Sequence, residues 1–334
     1  MVARWALVAD IGPIFQRWAM TTVWCLCRRR RLYAAASLLV LVGCNGADST
    51  SPTVTPTDFL TLTGRIAFVR GRHIYVMNAN GSGVVQVTHS TAANDYPAWS
   101  PNGSKIAFVR ELFVGEEIFA MNANGTGVTR LTNNSTNEKT PVWSPNGSKI
   151  AFVRLGQRDE IYVMNADGSN VTQLTNNLPF QSCGRLSRGA EASPTWSPDG
   201  TKIAFLHRAN CFREDIEIMN ANGTGLTLLA NAGFAQTIAW GKTGKIAFDA
   251  HVWSNDTSND AEIGVVTVSS GSVTRLTNNT AQDLYPTWSP DGTKLAFESD
   301  RDGDLEIYAM SATGTGITKL TKNSVYDVEP AWGP

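Results

Sequence analysis

Charge is scarce in this chain: 17% of its 334 residues are Asp, Glu, Lys or Arg, against a usual ~25%. Histidine is scarcer, with four residues, and cysteine is limited to five. No run of ~20 apolar residues follows residue 44, so no helix there could span a bilayer. Beyond residue 43 the chain holds 22 basic and 28 acidic residues over 291, a net charge of −6. That balance argues against nucleic acid as a partner, because phosphate binding needs clustered cations. No G-x-S-x-G occurs, so a serine peptidase would lack its nucleophile elbow. Gly241-Lys242-Thr243 has Gln236 where a phosphate loop needs its first glycine, so that reading fails too.

The N-terminus is different in kind. Arg28-Arg29-Arg30-Arg31 precedes the apolar stretch LYAAASLLVLVG and then Cys44. A basic segment followed by a short apolar run is the pattern of an export signal. Leu41-Val42-Gly43-Cys44 resembles a bacterial lipobox. That resemblance implies cleavage before Cys44 and lipidation of its thiol, hence membrane attachment by a lipid anchor on the cell envelope. Residues 1–43 are expected to be the signal peptide, with Met20 as an alternative start. Residues 44–58 are rich in Ser, Thr and Pro and read as a flexible tether.

Repetition dominates the rest of the chain. Trp99, Trp143, Trp196, Trp240, Trp288 and Trp332 recur at spacings of 44, 53, 44, 48 and 44. WSPNGSKIAF opens two units, and WSPDGTKIAF, WSPDGTKLAF and WGKTGKIAF open three more. Each unit reads as four short strands. The P-x-W segment is strand A, KIAFV strand B, EIYVMN strand C and VTQLT strand D. Asn/Asp-Gly turns join A to B and C to D. Four antiparallel strands per ~44 residues is the pattern of a propeller blade. The first unit lacks strand A, whereas Asp327–Trp332 is a strand A without a unit. The fold expected for residues 59–334 is therefore all-β: a six-bladed propeller closed by the C-terminal strand in blade 1, which removes two exposed edges.

The phrases WSPDG, KIAF, IYVMN and LTNN, over residues 64–332, resemble the propeller of the TolB family of bacterial periplasmic proteins. The resemblance implies the fold and an envelope setting. The chain departs from that family's pattern in its lipobox and in having no α/β domain before the propeller. A part in a Tol–Pal system is therefore not carried over.

In such a propeller the A–B and C–D turns share one face, here nearly uniform. The B–C and D–A loops share the other, and their variety makes it the expected functional face. Asp95, Glu138, Glu191, Asp283, Asp327 and Glu329 precede or open strand A and are expected to ring the channel mouth there. Arg70, Arg110 and Arg154, at the ends of strand B, are expected to pair with strand C, where Glu117 and Glu160 stand. Trp253 lies outside the repeat, so with His251 and Phe180 it is a candidate binding anchor. Cys183 and Cys211 fall on adjacent loops, and in an exported protein two such thiols point to a disulfide. Asp300, Asp302 and Asp304 alternate as oxygen ligands would for Ca²⁺, the one cofactor the sequence raises. The function expected is non-catalytic binding of an envelope protein, or a glycan, by a monomer. The alternative is a hydrolase or lyase acting on carbohydrate or peptide at the mouth. If Cys44 carries the anchor, Cys44→Ser releases the protein from membranes or leaves it unprocessed. Unchanged size together with unchanged detergent partitioning would contradict this.

Overall fold

The structure is a computed structural model that describes residues 63–176, 191–210, 213–251 and 260–334. The expected signal peptide and the tether lie outside them. So do Cys44, Phe180, Cys183, Cys211 and Trp253. The described chain forms six four-stranded antiparallel sheets. Strand B of every blade is shielded on both faces, so its side chains are buried in a run and do not alternate. Phe68, Phe108, Phe152, Phe205, Phe248 and Phe297 are each at most 1% exposed, one per blade. Burying a side chain of that size contributes about 2–3 kcal/mol.

Ring closure is as the sequence implies. Asp327–Gly333 is strand A of blade 1, antiparallel to Arg65–Arg70 with Ile66 opposite Trp332 and Arg70 opposite Asp327. Strand C of that blade is His73–Asn78 and strand D is Val85–Gln86.

Neighbouring blades are joined by the repeat tryptophans. The indole N–H of Trp143 donates to the Ala98 carbonyl at 3.2 Å, and that of Trp288 to Ala239 at 3.0 Å. Glycine is required where these contacts crowd the backbone: a Cβ on Gly333 would lie 2.2 Å from Cγ of Trp99. The threonine after strand D ties its blade internally, to that blade's strand C. Thr88, Thr132, Thr175, Thr277 and Thr321 accept the backbone N–H of Ile74, Ile118, Ile161, Ile263 and Ile307 at 2.8–2.9 Å. Losing one hydroxyl would leave a buried N–H unpaired, which costs about 1–3 kcal/mol. Blade 4 has Ala230 at this position, and its strand D runs on as Thr227–Asn231, so that Ile216 pairs with Ala230 in the sheet.

The arginines at the ends of strand B take a different partner from the one expected. Arg154 Nε donates to Glu138 at 2.9 Å, Arg70 Nε to Asp327 at 2.6 Å and Arg110 Nε to Asn94 at 2.9 Å, all on strand A. The guanidinium lies over the aromatic rings of strands B and C, 4.5 Å from the Tyr162 centroid for Arg154. Flattened there, its fork faces inward to strand A.

Deleting residues 327–334 removes the inner strand of blade 1 and exposes an unpaired edge. The truncated chain is expected to lose its cooperative thermal transition or to aggregate. A transition matching the parent would show that the ring closes elsewhere.

Candidate functional site

Strand A lines the central channel, and the residue three before each Trp decides what points into it. Those residues are Tyr96, Thr140, Ser193, Thr237, Tyr285 and Glu329, and all six line a channel cavity or its mouth. Five precede proline. Proline disfavours the right-handed α conformation in its predecessor, and these five take the left-handed one instead, with φ between 48° and 54°. Left-handed backbone is strained for non-glycine residues and most of all for a β-branched one such as Thr140. Each of the five sits at a register shift against strand B, a bulge. The exception explains the rule. Thr237 precedes Ile238, and the pairing there is regular. Proline thus sets the bulges, and the bulges turn five side chains toward the channel.

A bulge frees backbone N–H groups, which need acceptors once buried. Three carboxylates supply them. Tyr96 N–H donates to Glu329 at 2.6 Å, Glu329 N–H to Glu298 at 2.7 Å and Tyr285 N–H to Asp249 at 3.1 Å. Asp249 also accepts from the N–H groups of Gln236 and Thr237 at 2.8 and 2.9 Å and from the Thr237 hydroxyl at 3.0 Å. Asp249 and Glu298 occupy the strand B position that holds Val69, Val109, Val153 and Leu206 in the other blades. Among the described residues, no Lys, Arg or His forms an ion pair with any of the three.

Burial without a counter-cation favours the neutral acid. Desolvation pushes Glu298 up to about 8, and the charges of Glu329 and Asp249 push the same way. Glu329 is likewise pushed up to about 8 by desolvation, with Asp95 adding to it and Lys139 opposing. Asp249 is raised by its complete burial, against the pull of its N–H donors. Tyr96 and Tyr285 are both held above the ordinary tyrosine range, again by burial first.

The expected ring of six mouth carboxylates needs correction. Glu138, Asp283 and Asp327 are fully buried. Each is clasped by an arginine, namely Arg154, Arg301 and Arg70. Each also accepts from the side-chain amide of a D–A loop asparagine, Asn134, Asn279 or Asn323, at 2.7–2.8 Å. The backbone N–H groups of those asparagines donate to Glu117, Glu262 and Glu306. These acids therefore fix the loops and do not line the channel. Glu329 does line it. Asp95 is half-buried and raised by desolvation, with Glu116 adding to it. Glu191 opens strand A of blade 4, but its side chain lies outside the described residues.

His251 is half-buried, with its Nε2 3.0 Å from the Gln236 side-chain nitrogen. Asp302 pairs with Lys319, and Asp300 accepts from the Gln282 N–H at 2.8 Å, so the carboxylates of that turn face different partners. Among the described residues no group of three His, Cys, Asp or Glu is placed to hold a metal ion. Phe113, which the repeat pattern passed over, is fully exposed beside Val114 on the loop between Lys105–Leu112 and Gly115–Asn122. Its mark in the sequence is a B–C hairpin with two apolar residues at its tip.

Six four-stranded blades closed around a bulge-lined channel define a β-propeller. The chain belongs to the family of the TolB beta propeller domain, whose model matches residues 43–244 and 249–334. It is 30% identical over 113 residues to the protein TolB homolog of Chlorobium luteolum, a match spanning 34% of this chain and 24% of that relative. The matched segment is thus about a quarter of that relative's length. In structure it is similar to TolB from Acinetobacter baumannii, with a TM-score of 0.70 and 21% identity over 82% of this chain and 67% of that one. A chain of a nidogen/laminin complex has a TM-score of 0.64 at 10% identity, covering 81% and 98%. Both are likenesses of fold.

The raised carboxyls carry a pH signature. Glu298 and Glu329 hold their protons more tightly folded than unfolded, so folding takes up protons between about pH 4.5 and 8. Their contribution is complete at low pH and is lost as pH rises through 8. The melting temperature is expected to fall between pH 6 and 9, and less steeply in Glu298→Gln, whose amide still accepts the Glu329 N–H. A variant that tracks the parent over this range would refute the assignment.

Proposed function

We propose that the protein is an exported, lipid-anchored envelope module that binds a protein partner on its B–C and D–A loop face without catalysis. The observation that carries this reading is the difference between the two faces. The A–B turns repeat one clasp: Asn102 in blade 2 and Asp199 in blade 4 each accept from the hydroxyl two residues before and from the N–H two residues after. Such turns offer a partner little to distinguish. The opposite face holds the exposed Phe113 and the mouth of the channel with Tyr96 and Tyr285; Trp253 and Phe180, expected there from the repeat pattern, lie outside the described residues. Membership of a family whose namesake is periplasmic supports the envelope setting, and the lipobox supports the anchor.

An aromatic anchor buries 150–250 Å², and truncating one at the centre of an interface commonly costs about 2 kcal/mol or more. Affinity capture from envelope extracts identifies the partner. Phe113→Ala or Trp253→Ala is then expected to weaken it about tenfold or more, whereas Lys149→Gln on the turn face leaves it unchanged. Loss with Lys149→Gln and none with either aromatic variant would place the site on the wrong face.

A further inference from the structure

The two faces differ in charge as well as in regularity. On the A–B and C–D turn face each blade presents the cation that opens strand B: Arg65, Lys105, Lys149, Lys202, Lys245 and Lys294. Lys242 adds a seventh, and three carboxylates oppose them, Asp167, Asp199 and Asp291. Away from that face the charges are near balance: among the described side chains that are not buried, 12 Lys and Arg stand against 10 Asp and Glu. Lys105, Lys149 and Lys202 are exposed. Arg65 is held in place, donating to the Gly103 carbonyl at 2.9 Å with its guanidinium 4.5 Å from the Trp99 ring centroid.

Aliphatic side chains accompany this ring. Val84, Val128, Val171, Leu226, Val273 and Ile317 stand one per blade at the end of the C–D turn, each 38–42% exposed. The chain also joins the propeller on this side. Thr63 leads into Arg65, and Gly64 lies against the last residues of the closing strand. The segment expected to carry the lipid therefore connects here.

We infer that the turn face docks on a bilayer surface rich in anionic lipid headgroups. A flat ring of cations matches a layer of headgroup phosphates, and each cation near such a surface strengthens binding about fivefold at ordinary salt. The aliphatic rim supplies apolar contact at the headgroup level. Docking by this face leaves the loop face turned away from the membrane, toward the protein partner. The inference rests on the envelope reading only for its setting, since the charge segregation belongs to the propeller itself.

The full chain is mixed with vesicles of phosphatidylcholine alone or with added phosphatidylglycerol, and its lysines are acetylated. Lys105, Lys149 and Lys202 are expected to label severalfold more slowly on anionic vesicles, with the protection lost at high salt. Lys139 and Lys322, on the loop face, are expected to label equally on both. Combining Lys105→Gln, Lys149→Gln and Lys202→Gln should weaken flotation with anionic vesicles on the order of a hundredfold, without shifting the melting temperature. Equal labelling of the three lysines on both vesicles, in a chain that still floats, would overturn the docking and leave the envelope reading standing. Protection of Lys139 and Lys322 in their place would overturn it as well.

Discussion

The pairing of the last strand with the first holds this molecule together. Every blade leans on two neighbours, so the ring is stable only if blade 1 has an inner strand, and among the described residues Asp327–Gly333 provides it. That strand also carries a share of the site. Glu329 sits on it, receives Tyr96 N–H from blade 2 and donates its own N–H to Glu298 of blade 6. Closure and the channel mouth are one structure, and a lesion in the first reaches the second.

From closure follows the chemistry of the channel. Packing six strands around an axis brings their backbones close, and proline at five of them forces bulges whose N–H groups turn inward. Water or buried acceptors must then satisfy those groups. Blades 5 and 6 replace a core valine or leucine with Asp249 and Glu298, and blade 1 contributes Glu329. The result is a chain of neutralisable acids running through blades 5, 6 and 1. The carboxyls are raised by burial, and the bulge N–H groups they accept pull the other way.

Much of the fold was legible because its determinants are local. W-S-P-D/N-G prescribes a turn, KIAF a buried strand, and the orphan strand at the C-terminus a closure. The site was less so. Glu138, Asp283 and Asp327 look like mouth acids by position, yet they pair with arginines laid over aromatic rings, a contact across strands that no single repeat displays. Asp249 and Glu298 went unnoticed because they stand inside an apolar phrase. Only the blade-by-blade comparison of that one strand position, with valine or leucine in four blades, marks them. Phe113 was passed over for the opposite reason: an aromatic on a short hairpin looks like core until the hairpin is seen to project.

A regular face ringed with cations and an irregular loop face give the module a direction. Hydrogen exchange of the intact chain, with and without its captured protein partner and in the absence of lipid, tests that direction most directly. Slowed exchange confined to the D–A loop 88–93 and the hairpin 111–115, with the A–B turns 101–104 and 145–148 unchanged, is the result expected. Slowing in those turns with the loops unaffected would contradict the account.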